Sequence, residues 1–283
     1  MNEVERYLFD LQGYIHIPCM LTAEESRRLH RATMALEEDA LASRDESSRW
    51  RAVWGHECWR HPRHGYFNHG ERAEKMSLMV EDFWLYPEAF DMLIGHERTM
   101  QYVKAVISER DRTMIAINNS ELRIRYKGNR TGLHLGYPTG REPKYLYRVT
   151  EGRINCMMVR MVYFTHDVSA DDGPMCFVPG SHRGELPVPA GLESIEQQPG
   201  LVAVPVKAGD AILFTEACRH GGMPILSNQT RYTLHVGYGP HFLKSQNICT
   251  MEEEVNVNEA LLARLTPEQR KLMVCDRREP LGR

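Results

Sequence analysis

The sequence predicts an α+β fold: an all-β core of the sandwich, jelly-roll or barrel kind, with helices in front and a helical tail. Two observations carry that expectation. From about residue 114 onward the chain divides into short segments rich in Val, Ile, Tyr and Phe, punctuated by Gly, Pro, Asn and Asp. Several short strands at such spacing read as a closed or sandwiched β-structure. Ahead of them, Thr22 and Glu25 form a capping box before a segment carrying Leu29, Met34 and Leu36, which is the signature of a helix start.

In chain order, the N-terminal third is expected to be mainly helical, with further helices over about 70–82 and from Phe90 through Val106. The expected strands are Met114–Ile117, Glu121–Tyr126, Ile154–Phe164, Met175–Val178, Leu201–Val206, Ala211–Phe214 and Tyr232–Tyr238. A last helix starts near Val257, runs through Leu261 and Leu265, and is broken or recapped at Thr266-Pro267-Glu268. No repeat or linker appears, so one domain over residues 1–283 is the simplest organisation: a front and lid over about 1–110, a core over about 114–242 and a tail over about 243–283.

Composition narrows the function classes. A net charge of −3 gives no support for binding a nucleic-acid polymer. No apolar run of roughly 18 residues is present, so no membrane span is expected. The opening MNEVERYLFDLQGY has neither the basic nor the apolar region of a secretory leader. Seven scattered cysteines without a C-x-x-C pair suit reduced thiols in a cytoplasmic protein. Oligomeric state is not legible.

The chemistry-bearing residues come from three places. RTGLHLGYPTG holds His134 and Gly136, FTEACRHGG holds His220, and QTRYTLHVGY holds Arg231 and Thr233. Two histidines from distant strands with a nearby carboxylate would make the facial triad of non-haem iron oxygenases. That triad leaves three metal positions open, two for a 2-oxo acid and one for O2. Among 13 histidines, spacing alone singles out neither.

The surrounding segments resemble the phytanoyl-CoA dioxygenase family. FDLQGYIHIPCMLTAEE looks like that family's opening strand and helix cap, and ADDGPMCFVPGSHRGELP (170–187) is similar to its PGSH signature. KAGDAILF (207–214), followed by His220 and, eleven residues later, Arg231, is similar to its AGD…H…R ending. The resemblance implies a double-stranded β-helix of the jelly-roll, cupin-like kind and Fe(II)- and 2-oxoglutarate-dependent oxidation of an unactivated C–H bond. It implies His134 and His220 as iron ligands, Arg231 as partner of the distal carboxylate of 2-oxoglutarate, and Thr233 as an added hydrogen bond. A planar guanidinium suits bidentate carboxylate recognition. Asp172 and Ser181 read as turn chemistry.

The chain departs from the family where H-x-D reads His134-Leu135-Gly136. Glycine supplies no ligand, and its lack of a Cβ is expected to leave a void beside the metal. Three readings compete. The first is that chloride fills the void, as in the similar 2-oxoglutarate-dependent halogenases with H-x-A or H-x-G, and the reaction is halogenation. In the second, a carboxylate moves in, with Glu216 ahead of Asp167, Asp171 and Asp172, and the enzyme is a hydroxylase. In the third, the chain binds a metabolite without turnover.

Cationic residues surround the first histidine: Arg123, Arg125, Lys127, Arg130, Arg141, Lys144, Arg148 and Arg153. Solvated strand faces are the plain reading. The alternative gives Arg125, Lys127 and Arg130 an anionic, nucleotide-like small molecule to hold. The aromatic stretch with Trp50, Trp54, Trp59, Tyr66 and Phe67, interleaved with His56, His61, His64 and His69, suits a lid or helix packing.

Overall fold

A computed structural model describes residues 1–51, 57–60, 66–69, 77–86, 88–107, 115–136, 142, 145–192, 194–243 and 259–273. Helices α1 (Glu3–Gln12), α2 (Ala23–Ala42) and α3 (Glu97–Val106) lead, and α4 (Glu259–Arg264) and α5 (Pro267–Leu272) close the chain. The strands among the described residues, of which β1 falls between α1 and α2 and β2–β5 between α2 and α3, are β1 (Tyr14–Ile17), β2 (Ser48–Arg51), β3 (Glu57–Arg60), β4 (Tyr66–His69), β5 (Ser77–Glu81), β6 (Ile115–Arg125), β7 (Thr131–His134), β8 (Tyr147–Thr150), β9 (Arg153–Cys156), β10 (Val159–Phe164), β11 (Met175–Phe177), β12 (Val202–Val204), β13 (Ala211–Thr215), β14 (His220–Gly222) and β15 (Arg231–Pro240).

The helix boundaries follow the expected local chemistry. Thr22 and Glu25 cap α2 reciprocally, and Thr266 caps α5 with Gln269 and places Pro267 in its first turn. One expectation fails. The helix expected over 70–82 is strand β5 where it is described, and residues 70–76 lie outside the described residues. The front also carries strands that were not expected, because β2, β3, β4 and β5 extend the large sheet past β6. The Ser77–Glu81 backbone is claimed by pairing with β6, from Ser77↔Arg125 to Glu81↔Glu121, and tertiary pairing overrides a weak local helix pattern. The aromatic stretch follows suit: backbone strands replace helix packing, while Trp54, His56, His61 and His64 lie outside the described residues.

The core is a jelly roll. A nine-stranded antiparallel sheet, ordered β1-β13-β10-β15-β6-β5-β4-β3-β2, faces a four-stranded sheet, β12-β11-β14-β7, and β8-β9 form a separate hairpin. From β1 to β6 both faces of the large sheet are covered, and side chains alternate between them. One face sends Leu122, Ile124, Met161, Tyr163, Leu213, Leu234 and Val236 into the main apolar cluster shared with α2 and α3. On the other face, Val162, Phe164, Ile212 and Phe214 meet Met175 and Phe177 of the small sheet. That inner face becomes charged further along, with Glu121, Arg123, Arg125, Arg160, Arg231 and His235. Burying one large aliphatic side chain contributes roughly 1.5–3 kcal/mol, so the outer face supplies the stability against which the charged inner face is held.

Asp210, in the AGD segment, ties β1 to the turn before β13. Its carboxylate accepts from the Cys19 and Lys207 amides, each at 2.9 Å, and from His16 Nε2 at 2.8 Å. Asp210→Ala leaves two backbone donors without this acceptor. It should lower unfolding free energy by about 2–4 kcal/mol, measured by urea denaturation, while Asp210→Asn should lose less.

Candidate active site

A cavity opens between the two sheets, lined by Arg123, Arg125, Thr131, His134, Arg160, Met175, Phe214, Glu216, His220, Gly221, Arg231 and His235. The histidines come from neighbouring strands of the small sheet. His134 on β7 is the cross-strand partner of His220 on β14, which places their ring centroids 4.2 Å apart. Each ring is oriented by its own backbone. His134 Nδ1–H donates to the Gly132 carbonyl at 3.0 Å, and His220 Nδ1–H donates to the Cys218 carbonyl at 2.8 Å. A carbonyl only accepts, so both tautomers follow, and each Nε2 keeps its lone pair. Desolvation lowers the proton affinity of both rings, although His134 keeps one side exposed while His220 is buried, and for His220 the neighbouring His134 lowers it further. Neutral imidazole is the ligating form.

Glu216 follows β13 and lines the same cavity. Arg160 Nε donates to its Oε1 at 2.5 Å, and its Oε2 stands 3.9 Å from His220 Nε2. Arg160 Nη1 also donates to Glu121 Oε2 at 3.0 Å, and Arg123 Nε donates to the same oxygen at 2.6 Å. Burial raises the Glu121 pKa, but Arg123 and Arg160 outweigh it and hold the carboxyl below its usual range. The result is a buried chain Arg123–Glu121–Arg160–Glu216 in which each carboxylate has a cationic partner.

Donor chemistry fits a divalent metal: two neutral imidazoles and one carboxylate. Adjacent donors about 2 Å from a shared ion stand roughly 3 Å apart, so the 3.9 Å between Glu216 Oε2 and His220 Nε2 has to shorten on ligation. Among the described residues, no three His, Cys, Asp or Glu side chains already converge on one point. Glu216 is drawn toward Arg160, so ligation asks for a turn of its carboxylate.

At Gly136 the expected void is filled. Leu135 and Gly136 have φ of +60° and +73°, the left-handed region that L side chains rarely adopt. A Cβ at Gly136 would stand 2.7 Å from Arg219 Cβ. Arg219 is itself held, donating from Nη1 to the Leu135 carbonyl at 3.2 Å and from Nε to Gln198 Oε1 at 3.1 Å. Gly136 is not among the residues lining the cavity.

The remaining expected residues divide. Arg231 and Arg125 are buried in the cavity wall, whereas Lys127 and Arg130 are exposed outside it. Lys127 donates to Asn228 on the surface. Those two therefore do not join Arg125 at the cavity, because the chain leaves β6 at Arg125 and turns outward. Thr233 is buried, but its hydroxyl faces the Arg123 carbonyl at 3.4 Å and His235 Nε2 at 3.0 Å, and it does not line the cavity. Asp167 is exposed and pairs with Lys207 at 2.8 Å. The Asp171 carbonyl accepts from Leu226 and Ser227, and Asp172 accepts from Ser169 and Ser227. None of the three aspartates lines the cavity. Sequence reading missed His235 and the role of Arg160. The signal for His235 was its two-residue spacing from Thr233 and four from Arg231, which puts all three on one strand face.

The PGSH segment supports His220 from behind. Ser181 Oγ accepts from the Arg219 amide at 2.7 Å, and the Val178 amide donates to the Arg219 carbonyl at 2.9 Å. His182 Nε2–H donates to the Asp10 carbonyl at 3.1 Å, while its Nδ1 is buried without a partner.

Residues 9–233 match the phytanoyl-CoA dioxygenase (PhyH) family. The chain belongs to that family. As a member of it, the chain is of the Fe(II)/2-oxoglutarate-dependent oxygenase type. Its fold resembles HygX from Streptomyces hygroscopicus, solved with nickel and 2-oxoglutarate, at 20% identity and TM-score 0.69 over 87% of this chain and 89% of that one. It also resembles SnoK, a non-haem alpha-ketoglutarate-dependent carbocyclase from nogalamycin biosynthesis, at 20% identity and TM-score 0.56 over 95% and 92%. The related epimerase SnoN matches at 20% identity and TM-score 0.53 over 85% and 83%. No curated protein matches the chain. No helix among the described residues is long and apolar enough to cross a membrane.

Burial lowers the His182 pKa to about 4. A histidine held neutral in the fold contributes stability above its unfolded pKa and loses it as pH falls toward the folded value. Between pH 6.5 and 4 the family member should lose up to about 3 kcal/mol through this residue. His182→Gln keeps a donor for Asp10 and should flatten that loss, read from urea unfolding across the same pH range.

Proposed function

We propose that this chain oxidises a C–H bond of a small molecule as an Fe(II)- and 2-oxoglutarate-dependent oxygenase, with His134, His220 and Glu216 as metal ligands and Arg231 as partner of the 2-oxoglutarate distal carboxylate. One observation carries the choice of ligand set. Glu216 lies in the cavity with Oε2 3.9 Å from His220 Nε2, while the Cβ side of Gly136 is taken by Arg219. Bound iron with a 2-oxo acid supplies O2 activation; the chain's own residues bind, orient and shield. The Gly132 and Cys218 carbonyls set both imidazoles, Arg160 orients Glu216 and offsets its charge, and Phe214 and Met175 give the cavity an apolar wall. HygX with hygromycin B bound and SnoN with nogalamycin RO bound support a small-molecule substrate.

Halogenation, with chloride beside Gly136, is the competing reading and rests on the H-x-G departure. It requires room at Gly136, where Arg219 stands. Hydroxylation with Glu216 asks only for a carboxylate already in the cavity to turn. An anionic or nucleotide-like substrate loses Lys127 and Arg130 as supports.

Two variants separate the readings. Glu216→Gln should weaken Fe(II) binding about as severely as His134→Ala, at least roughly 100-fold by comparison with the tenfold to hundredfold effect of residues that merely orient a ligand. An affinity within about threefold of wild type would remove Glu216 from the ligand set. Gly136→Asp would rebuild H-x-D under the halide reading and strengthen metal binding. Under the Glu216 reading it gains nothing and destabilises by about 1–3 kcal/mol, because a side chain is forced into a left-handed residue against Arg219. Anaerobic protein given Fe(II), 2-oxoglutarate and candidate substrates, then O2 with and without chloride, should yield products that gain oxygen irrespective of halide.

A further inference from the structure

Arg125 on β6 and Arg231 on β15 are cross-strand partners, so their side chains leave the sheet on one face, and both line the cavity. They are 6% and 1% exposed. The carboxylate lining the cavity and the buried one next to it serve other cations: Glu216 pairs with Arg160, and Glu121, outside the lining, pairs with Arg123 and Arg160. Among the described residues neither Arg125 nor Arg231 has a carboxylate within ion-pair distance. Arg231 donates one Nη1–H to the Gly173 carbonyl. Its Nε and the Nη1 of Arg125 are buried with no protein partner.

Gly222 shows how closely the two guanidiniums approach each other. A Cβ there would overlap Arg125 Nη1 and stand 3.4 Å from Arg231 Nη1. The glycine of β14 is thus the floor on which two cationic tips meet, and any larger residue would displace one of them. A carboxylate has about four lone-pair sites, and one guanidinium fork satisfies two of them. Two convergent forks match one carboxylate.

We propose that Arg125 and Arg231 together hold the distal carboxylate of the 2-oxo acid, making Arg125 a specificity residue for the co-substrate and not a holder of the primary substrate. This rests on the reading that the cavity takes a 2-oxo diacid, and it is independent of whether Glu216 ligates the metal. A 2-oxo acid without the distal charge leaves two buried cations unmatched. A site built around such polar groups rejects the analogue lacking the partner by on the order of 10⁴-fold.

The test uses the full chain loaded with Ni(II). Calorimetry gives the affinity for 2-oxoglutarate, and competition gives that for 2-oxopentanoate, which has the same chain length and no distal carboxylate. Arg125→Met should weaken 2-oxoglutarate binding about 10- to 100-fold, with 2-oxopentanoate little changed, so the ratio of the two affinities contracts. Gly222→Ala, which pushes on the Arg125 tip, should contract it too and serves if Arg125→Met does not fold. Glutarate lacks the 2-oxo group and reports the arginine pair without metal. Its stabilisation of metal-free wild type in a thermal melt should vanish in Arg125→Met whether or not Glu216→Gln binds iron. An unchanged affinity ratio, or equal losses for both 2-oxo acids, overturns the proposal.

Discussion

The arrangement depends on one constraint: charged side chains inside a β-structure must be matched by opposite charge or by hydrogen bonds. The inner face of the large sheet buries Arg125, Arg160, Arg231, Glu121 and Glu216, with Arg123 half-buried beside them. Taking a single charge out of water costs several kcal/mol unless partners replace the lost solvent. Arg160 is the hinge of the solution, bridging Glu121 and Glu216 at 3.0 and 2.5 Å. That bridge neutralises the buried carboxylates and places one of them beside the histidine pair. Structural need and chemical use meet in the same contact.

The two faces of the large sheet divide the labour. Leu122, Ile124, Leu234 and Val236 pack toward the helices, while their neighbours in sequence, Arg123, Arg125, Thr233 and His235, point inward. Strand alternation alone generates this separation. The apolar face holds β6 and β15 in register, and the register makes Arg125 face Arg231. Behind the small sheet the PGSH turn does similar work, since Ser181 holds the Arg219 amide next to His220. The same Arg219 then closes the space beside Gly136. The signature segment and the departure from H-x-D are therefore linked through one residue.

Much of the β-core was legible because its strands carry strong local patterns, and the Thr22 and Thr266 caps were legible because capping is a contact three residues long. The front strands were not. Ser77–Glu81 is short and of mixed character, and only its pairing with β6 makes it a strand. Among site residues, His134, His220 and Arg231 could be named from motif and spacing, but the cationic run after Arg123 was ambiguous. Alternation shows that Arg123 and Arg125 share a face, yet not that this face is internal. Lys127 and Arg130 look equivalent to them in sequence and lie outside, because the strand ends between.

The sequence by itself determined the jelly-roll class, the family, the histidine pair and the absence of a carboxylate at Gly136, since each is written in local pattern or motif. Only the tertiary structure decided that Glu216 lies within 3.9 Å of His220, that Arg219 occupies the space glycine was expected to leave, and that Arg125 belongs beside Arg231. These are contacts between residues brought together by strand register and sheet stacking. Such proximity depends on how the sheets close, which no single stretch of sequence records.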